Sequence, residues 1–464
     1  MIQITRKLAL ELRAVLRRAC GVTNKAVGPP VKFTAGAAGL TVRAQGPTAA
    51  VEYHAPGTRD SDEFVVPYAC LADCEGRCDE PVTLERSHDQ LVCRWHDGGV
   101  PQDAQFAVPK VARSKFPPLP DDLAENPGQL LAALREASDT TDIESTRFAL
   151  GNVQLQAGKV LATDAHQLFI HAGFRFPWTG EVRIPRNAVF ASKELPTDQP
   201  IRIGKSGKWL TLCTGPWTLH LAIDMEGRFP RIEDHVQAVS LAKAHLQLAP
   251  EDAQFLVQTV KRLPCGGDDY NLPVTVDLNG SVAIRAKSQA GEQPTEIILN
   301  RSRWTGDPLR FNTNRHYLAR AAQLGFRDLY VFGAEAPVQC LDAERAYAWA
   351  VLNATDVVLP SAEAIRIESA GEPAAVSASS LEPKPRRPMV QSTTSSNGNG
   401  SANASQEPDV GTETLVEQAE AVKESLRDSL SKVNELVAGL KRHRKQNKLV
   451  RTTLATLRQL QEVS

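Results

Sequence analysis

A unit of about 120 residues occurs three times before residue 360, and that period excludes a single small module. A Leu-rich amphipathic helix is written at residues 6–19 (RKLALELRAVLRRA), at 129–137 (QLLAALREA) and at 250–263 (PEDAQFLVQTVKRL), so the starts lie 123 and 121 residues apart. A second helix is announced each time by an extended run leading into a cap: VPYACLADC from Val66, IPRNAVFASKEL from Ile184 and FNTNRHYLARAAQL from Phe311. Those starts are 118 and 127 residues apart. Short runs such as VKFTA, LTVRAQ, VTLERS, VLATDAH, IRIGKS, WLTLCT, LHLAID, VTVDL, VAIRAKS and LYVFGA read as strands, with Gly, Asn or Asp between many of them. Each repeat is therefore α+β, two helices with roughly eight strands, and three in series predict sheets that join edge to edge.

The spacing sets repeats at 1–118, 119–240 and 241–358, followed by a disordered linker at 359–411 and a long helix at 412–464. The linker expectation rests on the text from Ser361 to Val410, which has no aromatic residue and is rich in Ser, Ala, Pro, Gly and Asn. Beyond it, Leu415, Ala419, Val422, Leu426, Ser429, Val433, Leu436, Leu440, His443, Asn447, Val450, Leu454, Leu457 and Gln461 alternate steps of four and three, the seam of a coiled coil. Polar Ser429, His443 and Asn447 on that seam, with Gly439 inside the helix, predict weak self-association or the need for a partner.

The total charge names no partner, because 53 Lys and Arg stand against 54 Asp and Glu. Its distribution is more informative. The first helix carries Arg6, Lys7, Arg13, Arg17 and Arg18 against Glu11 alone, and later helices offer Arg135, Lys193, Lys261, Arg262, Arg315 and Arg320. Basic helical surface repeated on a neutral chain suits contact with phosphates that reads no bases; one helix at a time, a solvated amphipathic face explains it as well. The tail segment KRHRKQNKLVR at 441–451 offers more cations, for DNA, an acidic partner or plain solvation. No apolar run approaches the ~20 residues of a membrane helix, and the N-terminus alternates charge with Leu, which predicts a cytoplasmic protein.

Catalytic machinery is thin: G-x-S-x-G, G-x4-G-K-[ST], H-E-x-x-H and a strand-borne G-x-G-x-x-G are all missing, and no cofactor is called for. Asp164 and His166, with His171 further on, form the most enzyme-like text, a possible metal-hydrolase site; the plainer reading is a turn closed by local hydrogen bonds. Among eight cysteines only Cys70, Cys74 and Cys78 are patterned, along one helical stripe, and with Cys93 or His96 they could hold zinc. Small residues packing a helix face account for them better, and no metal is assigned.

The central repeat carries four linked motifs: Arg147-Phe148-Ala149-Leu150, then Leu161 through Leu168 (LATDAHQL), then Ile184-Pro185-Arg186-Asn187-Ala188-Val189, then Glu226-Gly227-Arg228-Phe229-Pro230. In order and spacing they resemble the middle domain of the bacterial sliding clamp, the beta subunit of DNA polymerase III. The match extends through VPYACLADC and Phe106-Ala107-Val108 in the first repeat, and through FNTNRHYLARA and Tyr347 to Leu352 in the third, covering about residues 1–357. The resemblance implies three tandem clamp domains and a non-catalytic head-to-tail homodimer closed into a ring. Such a ring slides on double-stranded DNA in the cytoplasm, associated with the nucleoid, and tethers DNA polymerase III subunits, the clamp loader or repair partners. It makes the basic helices pore-lining, and it places the dimer seam at Phe106, Val108 and the region around Leu263.

The resemblance also implies a partner-peptide groove at Leu150, Thr163, Ala165, His166, Gln167, Leu168, Pro230, Ala348, Ala350, Val351 and Leu352. The family's Gly-His-Arg reads Ala165-His166-Gln167 here, acid stands at Glu233 and Asp234 after the Phe-Pro motif, and the closing Met-Pro-Met reads Ala350-Val351-Leu352. These departures predict a groove weakened or changed in specificity, and they leave two identities open, the housekeeping clamp and a divergent paralogue with its own partner module. The competing reading is a clamp-fold scaffold that acts through its C-terminal coiled coil.

Overall fold

Helix α1 (Arg6–Ala19) begins where Thr5 accepts the Leu8 amide at 3.0 Å, and it buries Ala9, Leu12, Val15, Leu16 and Ala19, the i, i+3, i+4 stripe of its sequence. It follows β1 (Ile2–Thr5) and leads to β2 (Val31–Gly36), β3 (Gly39–Gln45), β4 (Ala49–Ala55), β5 (Asp62–Val66), α2 (Tyr68–Cys74), β6 (Pro81–Ser87), β7 (Gln90–Asp97) and β8 (Val100–Ala107). The same order recurs as β9 (Ala124–Asn126), α3 (Gln129–Ser138), β10 (Asn152–Gln156), β11 (Lys159–Thr163), β12 (Gln167–His171), β13 (Glu181–Pro185), a 3-10 turn at Ala188–Ala191, β14 (Ile201–Ser206), β15 (Trp209–Thr214) and β16 (Trp217–Ala222). It recurs again as β17 (Ala244–Gln247), α4 (Pro250–Thr259), β18 (Pro273–Asn279), β19 (Ser281–Ala286), β20 (Thr295–Leu299), β21 (Arg303–Gly306), β22 (Leu309–Asn314), α5 (Arg315–Gln323), β23 (Asp328–Val331), β24 (Val338–Leu341) and β25 (Arg345–Trp349). A last strand, β26 (Ile365–Glu368), follows.

This computed structural model describes residues 1–23, 27–88, 90–109, 115–142, 149–266, 271–288 and 293–370, all within the first of two units, Met1–Ser377. Arg147 and Phe148, most of the expected linker and the whole expected coiled coil lie outside the described residues. No helix among the described residues is long and apolar enough to cross a membrane.

The repeats share sheets. An eight-stranded sheet runs β5-β2-β3-β4-β16-β15-β14-β9, and a nine-stranded one runs β13-β10-β11-β12-β25-β24-β23-β17-β21. The first joins the first and second repeats through antiparallel β4 and β16, and the second joins the second and third through antiparallel β12 and β25. Two sheets end the chain of repeats, β1-β6-β7-β8 and β22-β18-β19-β20-β26. On the helical side α1 packs on α2 and on the 3-10 turn, that turn packs on α3, and α4 packs on α5.

Two expectations need correction. The second helix of the middle repeat is only the 3-10 turn: Asn187 caps Val189, but Ser192 turns extended and donates its hydroxyl to Glu194 at 2.6 Å, which ends the winding. The linker expected from residue 359 is ordered at its start, since β26 pairs in parallel with β20, Thr295 opposite Ile365 through Ile298 opposite Glu368. Composition averaged over 361–410 hides the alternation Ile365-Arg366-Ile367-Glu368, and a four-residue strand on a waiting edge needs little beyond its backbone groups.

Candidate functional site

The basic residues read as one surface divide into two sets. Arg6 is 8% exposed and spans Asp97 at 2.9 Å, Glu80 at 3.3 Å and the carbonyls of Glu75 and His96, so it is a structural pin of the first repeat and not a DNA contact. Arg315 is 1% exposed, and its guanidinium donates to the carbonyls of Leu272 (3.0 Å), Pro264 (2.8 Å), Pro273 (3.1 Å) and Leu263. It opens α5, and pinning the ends of the preceding loop withdraws it from the surface.

Arg13, Arg18 and Arg320 are half-buried ties. Arg13 pairs with Glu75 at 2.5 Å. Arg18 crosses from the first repeat to Ser192 and Glu194 of the second, both at 3.3 Å. Arg320 crosses from the third repeat to the Glu136 carbonyl at 2.7 Å and the Thr140 hydroxyl at 2.8 Å. Through these contacts the helices touch in series as α2, α1, the 3-10 turn, α3, α5 and α4. Lys7, Arg17, Arg135, Lys193, Lys261 and Arg262 stand exposed along that series. Arg17 carries a contact of its own.

The seam residues also divide. Strand β8 is the last of its sheet, and Phe106 and Val108 near its end are half-buried, in keeping with an edge. Leu263 is 6% exposed inside its own repeat and lends its carbonyl to Arg315, so it offers no surface side chain to a seam.

At the junction of β12 and β25 an apolar cluster gathers Leu161, Leu168, Ile170, Phe229, Ile232, Ala346 and Ala348, with Val236 against it. Leu168 faces Ala348 and Ile170 faces Ala346 across the two strands. Of the expected groove residues, Ala165, His166 and Ala350 are exposed, Pro230, Val351 and Leu352 half-buried, and Leu150, Thr163, Gln167, Leu168 and Ala348 buried. Thr163 and Gln167 are buried, and both are engaged in hydrogen bonds of their own. The Thr163 hydroxyl donates to the Gln167 carbonyl at 2.6 Å, and the Gln167 side chain accepts from the Tyr347 hydroxyl at 2.7 Å and donates to Asp164 at 2.8 Å. Gln167 thus ties the second repeat to the third. The stretch that carries Phe229, Ile232 and Val236 lies over the cluster, held by Ala149 donating to the Arg228 carbonyl at 3.1 Å and by Gln237 exchanging two 2.9 Å bonds with Gln339. Glu233, one of the two acids noted after the Phe-Pro motif, pairs with Lys159 at 2.6 Å. Leu161 and Phe229 stand in the quoted motifs without having been named for the groove, and Ile170, Ile232 and Ala346 were missed by motif matching; the period of two along β12, counted from Leu168, points to Ile170.

Asp164 accepts the amides of His166 and Gln167, both at 2.8 Å, and so closes the turn between β11 and β12. Its neighbour Ala165 sits at φ +75°, a left-handed conformation in which glycine is the unstrained residue. His171, at the far end of β12, is packed between Phe169 and Phe174, and burial lowers its pKa. The sulfurs of Cys70, Cys74 and Cys93 lie within 4.8 Å of one another, and all three residues are buried. Cys78 is not of that group: α2 ends at Cys74, and the Cys78 thiol donates to Glu80 at 3.3 Å. His96 lies exposed, with its carbonyl on Arg6. Hydrogen bonding to Cys74, then to Cys93, and burial hold the Cys70 thiol well above its usual pKa, which suits core packing.

No known family profile matches the sequence, and no curated protein does. Solved structures do match. The DNA polymerase III subunit beta of Pseudomonas aeruginosa superposes with a TM-score of 0.60 at 17% identity, over 76% of this chain and 99% of that one. The DNA polymerase beta subunit of Streptococcus pyogenes gives 0.64 at 12% identity, and the DNA polymerase III beta chain of Streptococcus pneumoniae gives 0.62 at 15%, each with the same coverage. With identities this low the likeness is one of architecture, and it spans the repeats together with nearly the whole of each neighbour. The chain therefore has the fold of the DNA polymerase III beta sliding clamps.

Proposed function

We propose that this chain is a sliding clamp: two copies joined head to tail into a ring that encircles duplex DNA without reading sequence and tethers DNA polymerase III or a repair partner for processive synthesis. The clamp itself is non-catalytic in this reading, and nucleotidyl transfer belongs to the partner. One observation carries the proposal. Sheets run unbroken across both repeat junctions while helices touch in series along the chain, and the two sheets at the ends present unlike edge elements, the β8 edge and the β20 side. Unlike edges make a heterologous contact, which closes into a ring when the rotation allows. The exposed Lys7, Arg135, Lys193 and Lys261 then supply charge toward phosphates, without the bidentate base contacts that read sequence. The apolar cluster at β12 and β25 marks the place of the partner groove, and with Ala165-His166-Gln167 and Ala350-Val351-Leu352 in place of the family's arginine and methionines it binds ordinary clamp-binding peptides weakly.

Topological retention tests the reading. Protein incubated with a clamp loader and nicked circular DNA is expected to stay bound through a salt wash that strips electrostatic contacts, and to run off when the circle is linearised. Equal loss from circular and linear DNA would refute it.

A further inference from the structure

The third sheet edge deserves comparison with the two internal junctions. In β4 and β12, the residue that pairs first after the preceding hairpin is Ala50 (opposite Gln45) and Leu168 (opposite Thr163). Across the junctions these two residues pair with His220 and Ala348, each three positions past the start of its strand, Trp217 in β16 and Arg345 in β25. In the third repeat Thr295, opposite Ala286, holds the same place in β20. The strand corresponding to β16 and β25 is β8 in the first repeat, and three positions past its start at Val100 stands Asp103. One chain cannot bring its own β8 to β20 in the series of repeats; a second copy can, with Thr295 facing Asp103 of that copy.

On the ring reading above, the outer edge of β20 is where a second copy would dock its β8, but that edge is already taken. We infer that β26 is a cap the chain lays over the seam edge, which must leave before two copies join. The inference rests on the ring reading above.

The cap is specific and weak. Ile365 donates to the Pro294 carbonyl at 2.9 Å and Ser369 to the Ile298 carbonyl at 3.0 Å. The Asn300 side-chain amide donates to the Ser369 carbonyl at 2.9 Å, and its backbone amide donates to the Ser369 hydroxyl at 2.9 Å. Arg366 reaches Glu296 at 3.1 Å and completes a row of alternating charges, Arg310, Asp277, Arg285, Glu296 and Arg366, that crosses all five strands of the sheet. Glu296 keeps Arg285 at 2.6 Å when the cap departs, so its buried carboxylate is never stranded. Against this, the cap pairs in parallel over four residues, and its side chains stay wet, Ile365 at 52% and Ile367 at 39% exposure. Each internal junction is antiparallel, the better-paired geometry, and β8 offers a strand of eight residues. A short parallel strand protects a bare edge from indiscriminate pairing and yields to a longer antiparallel one.

Hydrogen exchange on the full chain tests this, comparing the natural sequence with the double substitution Ile365→Pro and Ile367→Pro, which removes strand donors from an exposed segment. The outward amides of β8 report docking of a second copy whatever the C-terminal segment does, and β18 and β19 serve as the folding control. The expected result is β20 amides that exchange faster at low concentration in the variant, and β8 protection that sets in at a concentration lower by about tenfold or more. Protection of β8 at the same concentration in both proteins would overturn the cap while leaving the ring standing. No protection of β8 in either, with β20 freed in the variant, would overturn the cap and the ring together.

Discussion

Arg315→Met separates a structural cation from an exposed one. The substitution keeps an apolar stem and deletes the guanidinium that holds the carbonyls of Leu263, Pro264, Leu272 and Pro273. Leu272 keeps the Arg315 backbone amide at 3.2 Å, and Pro264 and Pro273 are half-buried, so water replaces part of what they lose. Leu263 is 6% exposed, and its carbonyl is left without this donor. A stranded buried acceptor costs about 2 kcal/mol and each weakened bond about 0.5 kcal/mol, for a loss of about 3 kcal/mol. Native-state hydrogen exchange at β18, which follows this loop, and at its partner β22, which leads into α5, reads that loss as exchange about 150-fold faster in the third repeat. Arg135→Met, on an exposed residue of α3, is expected to stay within about 0.5 kcal/mol. If the two variants open alike, Arg315 is not the pin its geometry describes. If Arg315→Met is as stable as the natural chain but loses DNA, the original reading from charge was right.

Acid should weaken the eight-stranded sheet through His220, which is 1% exposed beside Thr211 at 2.9 Å and whose pKa burial pushes down to about 4. The folded chain then binds fewer protons than the unfolded one, so this contribution is whole above about pH 6.5 and lost as pH falls toward 4. The loss relative to neutral pH amounts to about 2 kcal/mol at about pH 5. Denaturant titrations at about pH 7.5 and about pH 5 should show His220→Asn losing less than the natural chain by that difference, and identical pH dependence would count against it. At the turn of β11 and β12, Ala165→Gly should raise stability by about 1 kcal/mol by relieving φ +75°, and a drop in midpoint on a denaturation curve would contradict the strain.

How far the sequence reaches is clearest at its helices and its charges. The stripes at 6–19 and 129–137 predict α1 and α3 to within a residue, and the third pattern continues past α4 as a 3-10 turn at Val260–Arg262. Amphipathic period and caps are local, so they can be read locally. The order of motifs in the central repeat was enough to anticipate the fold that the solved structures share. Charge was read less well. Lys7 and Arg135 are exposed as their helical faces suggested, whereas Arg6 and Arg315 are pins, because the carboxylates and carbonyls that bury them come from up to 91 residues away. The groove positions were named by alignment to a pattern, but whether a side chain lines a surface or ties two strands, as Gln167 does through Tyr347, depends on what the next repeat brings.

Taken alone, the sequence determined the α+β class, the threefold period and the starts of α1 to α5, since each follows from spacing within a few turns of chain. Only the tertiary structure decided which strands meet across repeats, which arginines are spent on carbonyls, and that residues 365–368, assigned to the linker from the composition around them, lie on the edge of β20. Strand edges recognise one another through backbone groups that every residue carries, so no side-chain pattern announces the pairing.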